Sequence, residues 1–455
     1  MNDRDFNDGA LARYRVATLG PCTVASPIGL STVHGDGLPN YVPDGMRVLY
    51  QVEVPAKGLS DATHALEKAG PRELIHFEPK SARAAIVTSG GLCPGINNVI
   101  RSMVYELVHK YGVAEVLGFR YGFAGLDPAA GMPAPMPLGP EEVRYIHARG
   151  GTMLGTSRGA HDPGVMVDTL QAHGITMLFT IGGDGTMRGA HAIAQEVERR
   201  GAKIAVVGIP KTIDNDIAFV DKTFGFETAV AVARTAIDAA HTEASSAIGG
   251  IGLVKLMGRD AGFIAANATM ASSDVNVCLV PEVPFRLDGP NGVLAYLERR
   301  LVRRGHAVLV VAEGCGKMLA DVPSPGASGP PSALRDPSGN LRWSSSSLDI
   351  GKHLKRAITT HFEERKIPLT LKYIDPSYMI RGGTAHAIDS VFCAELARYA
   401  VHAAMAGKTD MMVGRLHRSF THVPLPLVLS EKKRLDPDGD LWLAVTESTG
   451  QPAFH

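Results

Sequence analysis

Residues 175–212, "ITMLFTIGGDGTMRGAHAIAQEVERRGAKIAVVGIPKT", decide the fold. An apolar, β-branched run ends in a glycine loop, a helix-like segment follows, and a second apolar run, "KIAVVGI", comes after it. Strand, loop, helix and strand in that order make a parallel pair of strands with the helix lying on a face of the sheet. The same order runs upstream as "RAAIVTSGG" (83–91), "GINNVIRSMVYELVHKYG" (95–112) and "VAEVLGFRYG" (113–122). A second series has the strands "GIGLVKLMGRDAG" (250–262), "VNVCLVPEV" (275–283) and "HAVLVVAEGCG" (306–316), with "VLAYLERRLVRRG" (293–305) as a helix. The chain then returns to helix at 348–366, to strand at "IPLTLKYID" (367–375) and to a long helix at 385–407.

The expected fold class is α/β, with two Rossmann-like lobes, each a parallel sheet between two helical layers. At 455 residues the chain exceeds the size at which one core stops growing, which agrees with two lobes. The expected boundaries are an arm or small subdomain over 1–82 with one strand-like run, "MRVLYQVEV", then lobes over 83–245 and 246–415, and an extension over 416–455. Residues 317–347, rich in Pro, Gly and Ser, read as a mobile surface insertion.

With 46 Lys+Arg against 46 Asp+Glu, the formal charge is zero. That balance argues against a nucleic-acid or membrane-surface partner, so any anion site must be a local cluster. Five cysteines, Cys22, Cys93, Cys278, Cys315 and Cys393, are scattered without CxxC spacing and suggest neither a disulfide framework nor a zinc site. A soluble protein of the reducing cytoplasm is expected, since the polar, acidic N-terminus does not read as a leader and no segment has the length of a membrane span.

Several loops carry candidate chemistry. "TSGGLCPGINNVIR" (88–101) turns on glycines, Gly91 among them, and opens a helix whose start attracts anions. "RGGTMLGTSRGA" (149–160) sets Arg158 among small residues, where a guanidinium suits phosphoryl oxygens; a solvated loop arginine is the other reading. In "TIGGDGTMRGA" (180–190), Asp184 stands between Gly183 and Gly185 at a strand end, where a carboxylate can hold Mg²⁺ while flanking amides cradle phosphate; a turn acid capping the next helix is the alternative. "PKTIDND" (210–216) crowds Lys211, Asp214 and Asp216 at another strand end, so neighbours of both signs can tune the proton affinity of Asp214. That makes it a candidate general base, the other reading being a salt-bridge and capping cluster. Met257, Gly258 and Arg259 close one strand of the second series, Glu313 another, and "LKYIDPSYMIRGG" (371–383) spaces Lys372, Tyr378 and Arg381 around a proline.

In combination, "GGDGT", "PKTIDND", "MGRDAG" and "DPSYMIR" resemble the 6-phosphofructokinase family from about Arg83 to about Gly414. The wording of "FGFETAV", "LVKLMGRDAGFIAA" and "KYIDPSYMIR" is most similar to the branch holding trypanosomal and plant ATP-dependent enzymes and their bacterial relatives. The resemblance implies the phosphofructokinase fold, with a donor lobe over 83–245 and a sugar-phosphate lobe over 246–415. It also implies phosphoryl transfer to the C1 hydroxyl of fructose 6-phosphate and a homotetramer or dimer. Carried onto this sequence, it makes Asp214 the base, supported by Asp216, with Thr212 and Arg259 near the transferring group. Gly91, Arg158, Gly183, Asp184, Gly185, Thr186 and Lys211 would face the donor, and Asp184 would help hold Mg²⁺. Met257, Gly258 and Glu313 would hold the sugar, and Lys372, Tyr378 and Arg381 its 6-phosphate.

Three positions depart from the short bacterial enzymes: Gly250 replaces an arginine seven residues before Met257, Lys372 an arginine, and Tyr378 a histidine. Donor choice turns on two residues. Gly185 stands where pyrophosphate users carry a second carboxylate, which leaves room for the α-phosphate of ATP, whereas Lys211 is shared with pyrophosphate users. A carboxylate repels phosphate more decisively than a flexible ammonium, so ATP is the expected donor and pyrophosphate the alternative. A catalytically silent subunit of the same fold, or another sugar phosphate as acceptor, are the remaining alternatives.

Overall fold

Strands Met177–Gly182 and Ala205–Pro210 are buried at every position, without the alternation of a half-solvated sheet. Such strands need cover on both faces, as the central strands of a parallel sheet have. The computed structural model describes residues 13–53, 64–317 and 349–454, so nearly all of the expected insertion 317–347 lies outside the described residues. The described residues divide into two compact units. One runs to Thr212 and adds Ile217–Gly225 and Gly382–Lys432; the other holds Ile213–Asp216, the described part of Phe226–Arg381, and the residues from Lys433 onward.

The first unit is built on a nine-stranded sheet in the order Arg47–Leu49, Ala65–Lys68, Ser419–Pro424, Met411–Leu416, Ala205–Pro210, Met177–Gly182, Arg83–Thr88, Glu115–Phe119, Met136–Pro137. From Met411–Leu416 to Glu115–Phe119 every pairing is parallel, and the pairings outside them are antiparallel. The expected α/β fold with a parallel sheet is found, with antiparallel strands added at both edges. Helix Ile96–Tyr105 packs with Ala387–Met405, and helix Pro163–Ala172 with Asp184–Arg199. Asp162 starts helix Pro163–Ala172 by accepting from the Gly164 and Val165 N–H groups at 2.7 and 3.4 Å, with Pro163 at the first helical position.

The second unit has a four-stranded, all-parallel sheet in the order Val277–Leu279, His306–Ala312, Gly250–Leu256, Thr370–Ile374. Helix Phe226–Ser245 packs on its strands and on helix Phe263–Ser272. The expected boundaries at 245/246 and 415/416 therefore differ from the observed units. Reading along the sequence gives each helix to the strand before it, but the buried face of Phe226–Ser245, with Ala229, Ala233, Ile237 and Ala240, meets the strands that follow. Likewise the arm over 1–82 is not separate, because Ala65–Lys68 pairs with Ser419–Pro424 and Ala17–Thr18 with Lys408–Thr409. Of the strand-like run at 46–54, Arg47–Leu49 forms a strand, and Val54 is outside the described residues. No described helix is long and apolar enough to cross a membrane.

Candidate active site

In the first unit, register brings three strand ends level, with Pro210 opposite Gly182 and Thr88 opposite Ile181. Consequently the loops after these strands leave the sheet side by side, at the carboxyl edge where open α/β sheets bind ligands. The Lys211 N–H donates to the Gly182 carbonyl at 2.9 Å and the Ser89 N–H to Ile181 at 3.0 Å. The Arg158 loop is laced to the first of them: Gly90 N–H to Ser157 at 3.1 Å, Thr156 Oγ1 to Gly90 at 2.6 Å, and Thr88 Oγ1 to Gly155 at 2.6 Å. A methyl group added at Gly91 would stand 3.6 Å from Arg158 Nη2, so Gly91 and Arg158 share one corner. Lys211 is buried and donates from Nζ to the Gly91 carbonyl at 2.5 Å. Thus Gly91, Arg158 and Lys211 converge.

Asp184 is the first residue of helix Asp184–Arg199, with Gly183 as its cap and no side-chain capping bond. At that position the carboxylate stands in the first helical turn, where a negative charge complements the helix dipole. Its partner is Lys432, Nζ to Oδ2 at 3.4 Å, a pair exposed enough to be worth about 0–1 kcal/mol and so readily exchanged. Among the described residues no group of three or more His, Cys, Asp or Glu side chains is set to hold a metal. Mg²⁺ commonly takes one or two protein carboxylates and completes its shell with water and substrate phosphates, so the single acid of Asp184 beside a helix N-terminus fits a metal carried on a nucleotide. Thr186 is buried within the first helical turn, its N–H on Gly183 at 2.8 Å. A Cβ at Gly185 would meet nothing within 4 Å, so the space beside it is open. Thr212 ends this unit's run, its carbonyl accepting from Thr223 Oγ1 at 2.6 Å.

In the second unit the cluster is built from charge. Asp214 Oδ2 accepts the Arg259 N–H at 3.3 Å, so the acid touches the backbone of this arginine. Burial and the Glu313 carboxylate push Asp214 up to about 6, against the pull of the Arg259 N–H and the Arg381 and Arg259 charges. Burial also raises Glu313, which Arg381, Arg259 and Lys255 pull back. Asp214, Arg259, Glu313 and Arg381 are therefore one electrostatic group. Met257 is fully buried, and Gly258 takes φ of 128°, where a Cβ would stand 2.5 Å from the Ala261 carbonyl. The Gly314 N–H donates to the Gly258 carbonyl at 2.9 Å, fixing the Glu313 turn against the Met257–Arg259 loop. Asp216 adjoins the group in sequence, with its carbonyl on the Lys433 N–H at 3.2 Å.

Two of the expected residues lie at the surface. Lys372 lies within the edge strand Thr370–Ile374, opposite Gly252, and its ammonium pairs with Glu243 at 3.6 Å. Tyr378 is 88% exposed. Sequence reasoning missed Lys432, signalled only by the charge run "EKKR" (431–434), and Lys255, a lone lysine inside an otherwise apolar strand.

The chain matches the family model described as "Phosphofructokinase" over residues 83–404. It is 46% identical, over 96% of this chain and 97% of the other, to a protein of Borreliella burgdorferi named ATP-dependent 6-phosphofructokinase. It is also 46% identical, over 85% of this chain and 77% of the other, to ATP-dependent 6-phosphofructokinase 7 of Arabidopsis thaliana. A crystal structure of a pyrophosphate-dependent phosphofructokinase from Marinobacter aquaeolei shares the fold, with a TM-score of 0.63 at 20% identity over 81% of this chain and 91% of that one.

Proposed function

The chain belongs to the phosphofructokinase family, and on that premise we propose that it transfers a phosphoryl group from ATP to the C1 hydroxyl of fructose 6-phosphate, giving fructose 1,6-bisphosphate and ADP. The observation that carries this reading is Asp214, a half-buried acid raised to about 6 beside the Arg259 backbone and the Glu313 carboxylate. A base must be deprotonated at working pH yet basic enough to accept a proton, and a carboxyl in that range meets both needs. Asp214 takes the C1 hydroxyl proton as that oxygen bonds to the γ-phosphorus, the bond from phosphorus to the bridging oxygen breaks, and ADP departs with its electron pair. Thr212 and Arg259 donate to the phosphoryl oxygens, where charge spreads in the transition state. Gly91, Arg158, Lys211 and the Gly183–Thr186 helix start hold the donor phosphates. Asp184 would hold Mg²⁺, which screens the phosphate charges when bound. Met257, Gly258 and Glu313 hold the sugar, and Arg381, Lys372 and Tyr378 its 6-phosphate.

ATP is favoured as donor by the open space at Gly185. The reading includes a cytoplasmic location, supported by five cysteines of which none is in a disulfide, and a homo-oligomer, tetramer or dimer. The test is an aldolase-coupled assay of purified wild type and Asp214→Ala with Mg²⁺, ATP and fructose 6-phosphate. Turnover lost only in the variant supports the reading; equal inactivity of both with either donor favours a silent subunit.

A further inference from the structure

Lys255 is an ammonium with 5% exposure inside strand Gly250–Leu256, two residues before Met257. A charge so buried is retained only with partners, and its removal alone leaves those partners stranded. Lys255 Nζ lies 2.7 Å from Asp375 Oδ2 and 3.5 Å from Asp349 Oδ1. Sheet register explains the first contact: Val254 pairs with Ile374, so the next residues on the two strands, Lys255 and Asp375, come level where the ladder ends. Asp349 in turn caps helix Ile350–Glu364 through the Lys352 N–H at 3.2 Å. Burial would lower Lys255, but the acids hold its proton well above the usual lysine range.

Asp375 has a second task. Its Oδ1 accepts the Ser377 N–H at 3.2 Å and a short bond from Ser377 Oγ, at the start of helix Ser377–Gly382, which carries Tyr378 and Arg381. That helix is six residues long, and Ile380 is its one buried residue. So short a helix with so little packing gains its place from its anchored end. Asp375 is that anchor, and Lys255 fixes the anchor's carboxylate.

We propose that Lys255 is a positioning residue for sugar-phosphate recognition, acting through Asp375 to hold the turn that presents Arg381. The inference rests on the assignment of Arg381 to the sugar phosphate made above. Lys255 touches no reacting atom, so its loss weakens sugar binding rather than the chemical step.

The test compares kcat and both KM values of wild type, Arg381→Gln, Lys255→Met/Asp375→Asn and Ser377→Ala. Removing Lys255 together with Asp375 takes away one charge of each sign and leaves Asp349 with Lys352, 3.4 Å away, so the double variant is the one expected to fold; thermal unfolding verifies this. Expected are a KM for fructose 6-phosphate raised about tenfold or more in the double variant, a KM for ATP within about twofold, and a smaller fall in kcat than in sugar affinity. Ser377→Ala, which removes only one bond to Asp375, shifts the same KM less; it decides the matter if the double variant does not fold. If Arg381→Gln raises that KM but neither of the other variants does, Lys255 is not a positioning residue and the assignment of Arg381 stands. If Arg381→Gln leaves it unchanged, the assignment and the inference fall together.

Discussion

The two units present their candidate residues in contrasting ways. In the first, loops at Gly91, Gly183 and Gly185 offer backbone and open space, with Arg158, Lys211 and Asp184 as the few charges. In the second, the Glu313, Arg259 and Arg381 charges act on the proton affinity of Asp214, and the Arg381 and Arg259 charges act on that of Glu313. The contrast follows from the chemistry required. Phosphates bring their own charge and a metal, so the protein needs amides and room; a sugar hydroxyl brings no charge, so the protein must supply a tuned base.

The largest expected effect lies in the second unit. Asp214→Ala lowers kcat by about 10²–10⁴-fold with a KM for fructose 6-phosphate changed by less than about threefold, measured by steady-state rates. Turnover near wild type would remove Asp214 as base. Next, Gly185→Asp in the first unit raises the KM for ATP by about tenfold or more, through repulsion of its phosphates, and leaves the sugar KM near wild type. Because the space there is open, the fold is expected to tolerate the substitution, and an equal loss for both substrates would point to damage of the loop.

A smaller effect appears in the pH profile. On the proposed role of Asp214 as base it must be ionised, and with Asp214 pushed up to about 6, kcat/KM is expected to fall as pH drops through about 6. Glu313→Gln removes the like charge that raises Asp214, so whatever rate remains has its acid limb displaced to lower pH. An unmoved limb would assign that ionisation to another group. The smallest effect concerns stability. A carboxyl raised in the folded state favours unfolding wherever it is ionised: the penalty is absent below the unfolded value of about 4 and complete above about 6. Asp214→Asn is therefore expected to stabilise the protein by about 1 kcal/mol at pH 7.5 in thermal unfolding, with the gain vanishing below about pH 4.

The sequence made the local features of both units legible, and the structure shows why others were not. Each glycine loop and each strand end is written in contiguous residues, so Asp184 and Asp214 could be placed at strand ends from pattern alone. Pairings across long separations leave no such mark. Thr421 opposite Lys68 draws the N-terminal arm into the first sheet, and Lys432 reaches Asp184 from far along the chain. Helix Phe226–Ser245 gives its small-residue face to strands not yet reached in the sequence. Lys372 lies in the edge strand Thr370–Ile374, Tyr378 and Arg381 lie on the helix that follows it, and the surface partner Glu243 of Lys372 left no mark in the pattern. Lys255 did leave a trace, since an ammonium within an apolar strand needs an acid to meet it.

Donor preference tests the division between the two units most directly, because on the proposed reading it depends on Gly185 and Lys211 while the sugar side stays constant. The measurement is the kcat/KM of the purified wild-type protein for ATP and for pyrophosphate at saturating fructose 6-phosphate and Mg²⁺. The expected result is turnover with ATP that exceeds turnover with pyrophosphate by at least about a hundredfold. Turnover with pyrophosphate and none with ATP would contradict it, and would make Lys211 rather than Gly185 the residue that sets the donor.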